Sequence, residues 1–172
     1  VRQSMKNNNI SFGSLKNKPF DAISLLGDPM MPSITGIVQG ASEQGIKVML
    51  AGGTQMCAIL SILKNLNITT DNVSIGTTKY VYNDQSADFK NLVLSIDENI
   101  GMFVVDLHMN ESTKQGLRSF ANGYVKEGVG AGGVSIATII KERGKLNGKK
   151  LLKYIEKEYE KNIEEKLYIK SV

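Results

Sequence analysis

The chain has 172 residues, 41% of them hydrophobic and 22% charged, which is typical of a globular domain large enough to bury a core. Its net charge of +4 arises after position 140, where ten basic residues are interleaved with six glutamates. A solvated helix accounts for that pattern, which lacks the basic stripe of a nucleic-acid-binding surface. No apolar stretch approaches the ~20 residues of a membrane span, and the lone Cys57 cannot form an intrachain disulfide. We therefore expect a cytoplasmic protein with neither a nucleic-acid nor a membrane partner.

Short β-like runs alternate with helical patterns in the first half of the chain. The sequence predicts strands over residues 22–26, 47–51 and 73–75, and "KYVYN" is compatible with a continuation of the third strand. Pro32 lies near the start of a predicted helix that ends at about Gln44. Thr54 is the predicted N-cap of an apolar helix that ends at about Leu63.

The second half continues the same alternation. A helix is predicted over residues 86–96 with Ser86 as its cap, followed by a strand over 102–107 and a helix that Ser112 caps. Two further helices are expected, one from about Val134 and an amphipathic one over 148–170. The apolar face of the terminal helix comprises Leu152, Ile155, Tyr159 and Ile163. This alternation predicts an α/β fold, namely a Rossmann-like, three-layer parallel sheet with helices on both faces, in one domain over 1–172.

The carboxyl ends of the predicted strands carry the first candidate site. Ligands bind at this edge in open parallel sheets, where glycine lets backbone N–H groups approach an anion. The candidate substrate-binding residues at this edge are Asp28, Gly52, Gly53, Thr54, Gly76 and Asp106. Turn geometry alone is the alternative explanation for each glycine.

Three polar residues at this edge have two interpretations each. Asp28 could hold a ribose hydroxyl or cap the helix after Pro29, and Asp106 has the same ambiguity. His108 could be a strand-end contact or an ordinary loop histidine. As the only histidine, without partners at ligand spacing, it does not indicate a metal site.

The segment "VKEGVGAGGVS" carries the second candidate site. Gly128, Gly130 and Gly133 spell G-x-G-x-x-G, but a dinucleotide fingerprint must follow a strand, and here a predicted helix precedes it. Glu127 stands at the start of this segment among small residues. It could serve as a general base, which needs access and a fixed position, or be a solvated surface glutamate.

Two stretches together resemble a known family. "GDPMMPSITGIVQGASEQGIKVMLAGGTQMCAIL" and "ANGYVKEGVGAGGVSIA" are similar to the C-terminal half of nicotinate-nucleotide–dimethylbenzimidazole phosphoribosyltransferase, especially its archaeal-type relatives. The resemblance covers roughly Phe20 to Ile140. It implies transfer of phosphoribose from nicotinate mononucleotide to a benzimidazole-type base in cobamide lower-loop assembly, with no cofactor and no metal ion.

The resemblance also implies roles for particular residues. In "E-G-x-G-A", Glu127 would be the general base, with Gly128 and Gly130 beside the substrate, and "AGGT" would line the phosphoribosyl end. Bacterial relatives carry Asp-Gly where this chain has Gly52 and Gly53. The family's upstream glycine–asparagine–threonine phosphate loop is not found here. We therefore expect this chain to be the C-terminal part of a longer chain. Its expected partner is the missing N-terminal half or a second copy of itself in a homodimer. A non-catalytic nucleotide- or base-binding module is the alternative, and a nicotinamide-dependent oxidoreductase fragment is disfavoured.

Overall fold

The structure, a computed structural model, describes residues 2–124 and 130–164. It is an α/β fold in which a parallel sheet of three strands, in the order β1-β2-β3, is flanked by helices, and it confirms the predicted fold class. The strands are β1 (Val48–Ala51), β2 (Val73–Thr78) and β3 (Gly101–Val105). The helices are α1 (Arg2–Asn7), α2 (Pro19–Leu26), α3 (Met30–Glu43), α4 (Thr54–Asn65), α5 (Lys79–Tyr82), α6 (Phe89–Ile96), α7 (Gln115–Ala121), α8 (Gly130–Lys141) and α9 (Gly148–Tyr159). A 3₁₀ turn spans Met109–Glu111, and a π-helical turn, Glu160–Glu164, follows α9.

The described residues divide into two compact units. The first comprises residues 2–50, 54–75 and 90–101, and the second comprises 51–53, 76–89, 102–124 and 130–164. The boundary falls within each of the three strands, so the single domain over residues 1–172 stays a prediction. None of the described helices combines the length and the apolar character that crossing a bilayer requires.

The core of the first unit is built on α4. Ile59, Leu60 and Leu63 are fully buried, and α3 packs against this helix with Val38 buried. Apolar residues at helical spacing on α4 therefore turn towards the interior, as the sequence pattern predicts. Cys57 is buried as well and is a free cysteine.

In the second unit, α9 is fixed to the segment that leads into α7. The Glu156 carboxylate accepts hydrogen bonds from Ser112 Oγ and from the Thr113 backbone N–H, each at 2.7 Å. Leu152, a residue of α9, is buried. The predicted terminal helix is present over Gly148–Tyr159, a π-helical turn continues it to Glu164, and residues 165–170 lie outside the described part.

One predicted strand is wrong. Residues 22–26 belong to the helix α2, which begins at Pro19 and carries Asp21 in its first turn. Proline suits the first turn of a helix, and an acidic residue there complements the helix dipole. Gly27 ends α2 rather than a strand, since its N–H donates to the Ile23 carbonyl oxygen at 2.9 Å.

The other three predicted strands are present with shifted ends. β2 continues to Thr78, but the further extension through "KYVYN" is wrong, because residues 79–82 form α5. Thr78 caps α5 by accepting a hydrogen bond from the Val81 N–H at 3.4 Å. β3 ends at Val105, so that Asp106 directly follows it.

Two predicted helix caps are also wrong. Ser86 precedes the start of α6 and instead hydrogen-bonds Asp84 through its backbone N–H and its hydroxyl. The N-cap of α7 is Lys114 rather than Ser112. Ser112 Oγ accepts from the Lys114 N–H at 3.0 Å, so the serine organises the turn before the helix.

Candidate functional site

The ends of β1 and β2 meet in the second unit. The Gly52 N–H donates to the Gly76 carbonyl oxygen at 3.1 Å, which joins the segment after β1 to β2. Gly76 lies inside β2, so its predicted place in the turn after the strand is wrong. Gly52, Gly53 and Gly76 are all buried, and a contact between them and a substrate stays a prediction.

The glycine-rich start of α8 packs on these strand ends. A Cβ at Gly132 would lie 2.6 Å from the Thr77 Cα and 2.5 Å from the Thr78 nitrogen, and one at Gly133 would lie 2.8 Å from the Ala51 Cα. Side-chain carbons do not approach backbone atoms so closely, and only glycine fits at either position. The helix begins at Gly130, four residues before the predicted Val134, because this close packing outweighs the low helix propensity of glycine.

The proposed catalytic segment precedes that helix directly. Glu127 and Gly128 lie outside the described residues, so their predicted roles are not tested. Gly130 is the first residue of α8, and among the described residues a Cβ there would meet only the Ala51 carbonyl oxygen, at 3.7 Å. Packing therefore does not require glycine at position 130, in contrast to positions 132 and 133.

An ion pair occupies the ends of β2 and β3. Lys79 Nζ lies 2.6 Å from Asp106 Oδ2, and Asp106 Oδ1 accepts a hydrogen bond from the His108 N–H at 2.8 Å. Both side chains are about one third exposed, at 32% for the lysine and 38% for the aspartate.

The ion pair keeps both groups charged. Partial desolvation raises the pKa of Asp106, but hydrogen bonds from Lys79 and from the His108 N–H outweigh it, so the pKa lies below its usual value. The hydrogen bond to Asp106 raises the pKa of Lys79, against a smaller effect of desolvation. At neutral pH Asp106 is therefore a fixed acceptor rather than a proton-abstracting base.

Further charged side chains extend this pair. His108 has a left-handed backbone (φ 51°), and its Nδ1 lies 3.0 Å from Glu111 Oε1 and 3.8 Å from Asp106 Oδ2. Glu111 Oε2 in turn lies 3.2 Å from Lys149 Nζ. His108 is thus a strand-end residue held between two carboxylates. Within residues 2–124 and 130–164, no three His, Cys, Asp or Glu side chains group as metal ligands.

Sequence reasoning missed Lys79. The residue follows β2 directly, as Asp106 follows the neighbouring β3, and parallel strands end at the same edge of a sheet. Lys79 was missed because "KYVYN", which begins with this residue, was assigned to the strand.

The other predicted residues belong to the first unit. Asp28 Oδ1 accepts a hydrogen bond from the Met30 N–H at 2.8 Å, so this side chain caps the start of α3, one of its two predicted roles. Thr54 is exposed and is the first residue of α4, so the predicted helix start is confirmed within one residue, whereas its predicted role as the N-cap stays a prediction. The second unit holds the remaining described candidates, which are Gly52, Gly53, Gly76, Asp106 and Gly130.

The site as described suits ligand binding. A fixed carboxylate accepts hydrogen bonds from hydroxyl groups, and a neighbouring ammonium attracts anionic groups. The pKa values of both carboxylates at this edge, Asp106 and Glu111, are lowered by hydrogen bonds, so neither carboxylate is suited to abstract a proton at neutral pH.

The chain is similar in sequence to several archaeal proteins. No protein-family model matches it. It is 41% identical over 133 residues to a UPF0284 protein of Methanosarcina acetivorans, covering 77% of this chain and 38% of that protein. A UPF0284 protein of Methanopyrus kandleri is 40% identical over 142 residues, covering 82% and 36%. One of Methanocaldococcus jannaschii is 34% identical over 162 residues, covering 92% and 44%. The chain spans about two fifths of the length of these relatives, and it is similar to archaeal UPF0284 proteins over most of its own length.

Proposed function

We propose that the chain is part of an enzyme that transfers phosphoribose from nicotinate mononucleotide to a benzimidazole-type base. The observation that carries this proposal is the packing of α8, through Gly132 and Gly133, on the ends of β1 and β2. This packing ties α8, which begins at Gly130 within the E-G-x-G-A motif, to the edge where parallel sheets bind ligands.

Glu127 is the proposed general base. In the sequence it is the third residue before Gly130, the first residue of α8. As the attacking nitrogen of the base bonds to ribose C1, the bond from C1 to the pyridinium nitrogen breaks, and its electron pair leaves with nicotinate. The proton on the other ring nitrogen of the base passes to the Glu127 carboxylate, which leaves a neutral benzimidazole ring in the α-riboside phosphate and free nicotinate.

Lys79 and Asp106 are the proposed contacts to the phosphoribosyl group. The Asp106 carboxylate, kept ionised by Lys79 at 2.6 Å, accepts a hydrogen bond from a ribose hydroxyl. The Lys79 ammonium has three donors, of which one meets Asp106, and it attracts the phosphate. These roles follow the chemistry of the pair and do not use either group as a base.

A product assay tests the proposal. The chain, alone and within its complete protein, is incubated with nicotinate mononucleotide and 5,6-dimethylbenzimidazole, and both products are quantified by mass spectrometry. We expect nicotinate and the α-riboside phosphate in equal amounts. Binding of the base without release of nicotinate by the complete protein would support the non-catalytic module and contradict the enzyme.

A further inference from the structure

The outer side of α7 carries a polar stripe that the site above does not use. Gln115, Arg118, Ser119 and Asn122 recur at helical spacing and, together with Tyr124, line an open hollow of about 440 Å³ in the second unit. We call these five residues the α7 hollow. Its volume is in the range of small-molecule sites, roughly 300–1,000 Å³.

Contacts on the other sides of α7 fix its orientation. Phe120 meets Tyr80 edge to face, with ring centroids 5.8 Å apart. The Tyr80 hydroxyl oxygen in turn accepts a hydrogen bond from the Met109 N–H at 2.7 Å. The polar stripe is therefore presented by an anchored helix rather than by a free one.

Two side chains give the α7 hollow its chemical character. The Arg118 guanidinium donates to the Ser112 carbonyl oxygen at 2.7 Å, which orients the planar group and leaves further donors of its fork for an anion. Tyr124 is 82% exposed, so an aromatic face is open to a planar ligand. The amides of Gln115 and Asn122 add both donors and acceptors.

We propose that the α7 hollow binds a planar aromatic carboxylate. The guanidinium would pair with the carboxylate while the ring stacks on Tyr124. This inference rests on the proposed function, under which the ligand is the nicotinyl group of the donor and then the released nicotinate. In the sequence, Tyr124 stands three residues before Glu127.

Titrations with three small ligands test the inference without turnover. Nicotinate and benzoate carry the carboxylate, whereas nicotinamide has the same ring without the charge. By NMR or calorimetry we expect the two acids to bind and nicotinamide to bind at least roughly 10-fold more weakly, since charge-assisted hydrogen bonds to arginine are lost. Equal binding of nicotinate and nicotinamide would overturn the assignment.

Variants identify the residues. Arg118→Gln is expected to weaken nicotinate binding roughly 10- to 100-fold. The matched control Arg143→Gln, at an exposed position after α8, should leave it unchanged. Because Arg118 also bonds Ser112, Tyr124→Ala provides a second variant at an exposed position, with an expected loss of about three- to ten-fold. Wild-type affinity in a folded Arg118→Gln variant would overturn the proposal, as would wild-type affinity in Tyr124→Ala.

These experiments distinguish a failure of the proposed ligand site in the α7 hollow from a failure of the proposed transferase activity. Nicotinate binding that depends on Arg118, in a complete protein that forms no product, would support the α7 hollow and contradict the transferase. Product formation with an unchanged KM for nicotinate mononucleotide in Arg118→Gln would support the transferase and overturn the α7 hollow.

Discussion

Gly132→Ala should destabilise the protein, although alanine is the better helix former. The added Cβ would lie 2.6 Å from the Thr77 Cα and 2.5 Å from the Thr78 nitrogen, both backbone atoms of β2. A flexible side chain could rotate away from such a contact, but a strand backbone cannot. Relief therefore requires α8 to move away from the sheet, which would also disturb the Gly133 contact with Ala51.

The expected magnitude follows from two opposing effects. Replacing glycine by alanine inside a helix contributes about 1 kcal/mol of stability. Overpacking a close contact costs typically about 1–3 kcal/mol, and three backbone atoms of β2 within 3.0 Å of the added Cβ place this site at the upper end. We expect the free energy of unfolding to fall by roughly 2 kcal/mol.

Gly36→Ala and Gly40→Ala are the matched controls. Both glycines lie in α3, and a Cβ at either would meet no heavy atom of residues 2–124 or 130–164 within 4 Å. These variants should gain about 0.5–1 kcal/mol, opposite in sign to Gly132→Ala. Urea denaturation followed by circular dichroism measures all three. A Gly132→Ala protein at least as stable as wild type, with the controls behaving as expected, would refute the packing of α8 on β2.

Two further predictions concern single ionisable groups. Burial raises the pKa of the Cys57 thiol to about 11, so a disulfide reagent at pH 8 should react with it only as the chain unfolds, and fast reaction of the native protein would contradict this. Hydrogen bonds from Ser112 Oγ and the Thr113 N–H lower the pKa of Glu156. The stability that Glu156 contributes is therefore present above its unfolded pKa of about 4.3 and is lost as the pH falls through the lower folded pKa. Glu156→Gln should reduce the acid dependence of Tm between about pH 5 and pH 3, and an unchanged slope would count against the contact.

The sequence predicted the fold class because its strongest signals are local. Three strands and the helices α3 and α4 follow from apolar periodicity, and α4 begins at Thr54, within one residue of the predicted start. The error at α2 arose because a short apolar run fits a strand or a helix equally well. Pro19 and Asp21 were the signals that favoured the helix.

The candidate site was less predictable because its geometry depends on contacts between distant segments. The approach of α8 to β1 and β2 explains Gly132 and Gly133, yet no local pattern separates them from Gly130, which has room for a side chain. The pairing of Lys79 with Asp106 likewise requires knowing that β2 and β3 are neighbours. Asp28 had two possible roles until the hydrogen bond to the Met30 N–H showed it as a cap.

The most direct test of the proposed mechanism is the turnover of Glu127→Gln in the complete protein. Glutamine keeps the size of the side chain but cannot take the proton from the attacking base. With nicotinate mononucleotide as donor, we predict that kcat falls roughly 10²–10⁴-fold while the affinity for the base changes far less. Glu98→Gln, the same change at an exposed turn before β3, is the control and should keep wild-type turnover. A near-normal kcat in Glu127→Gln would contradict the mechanism and remove this glutamate from it.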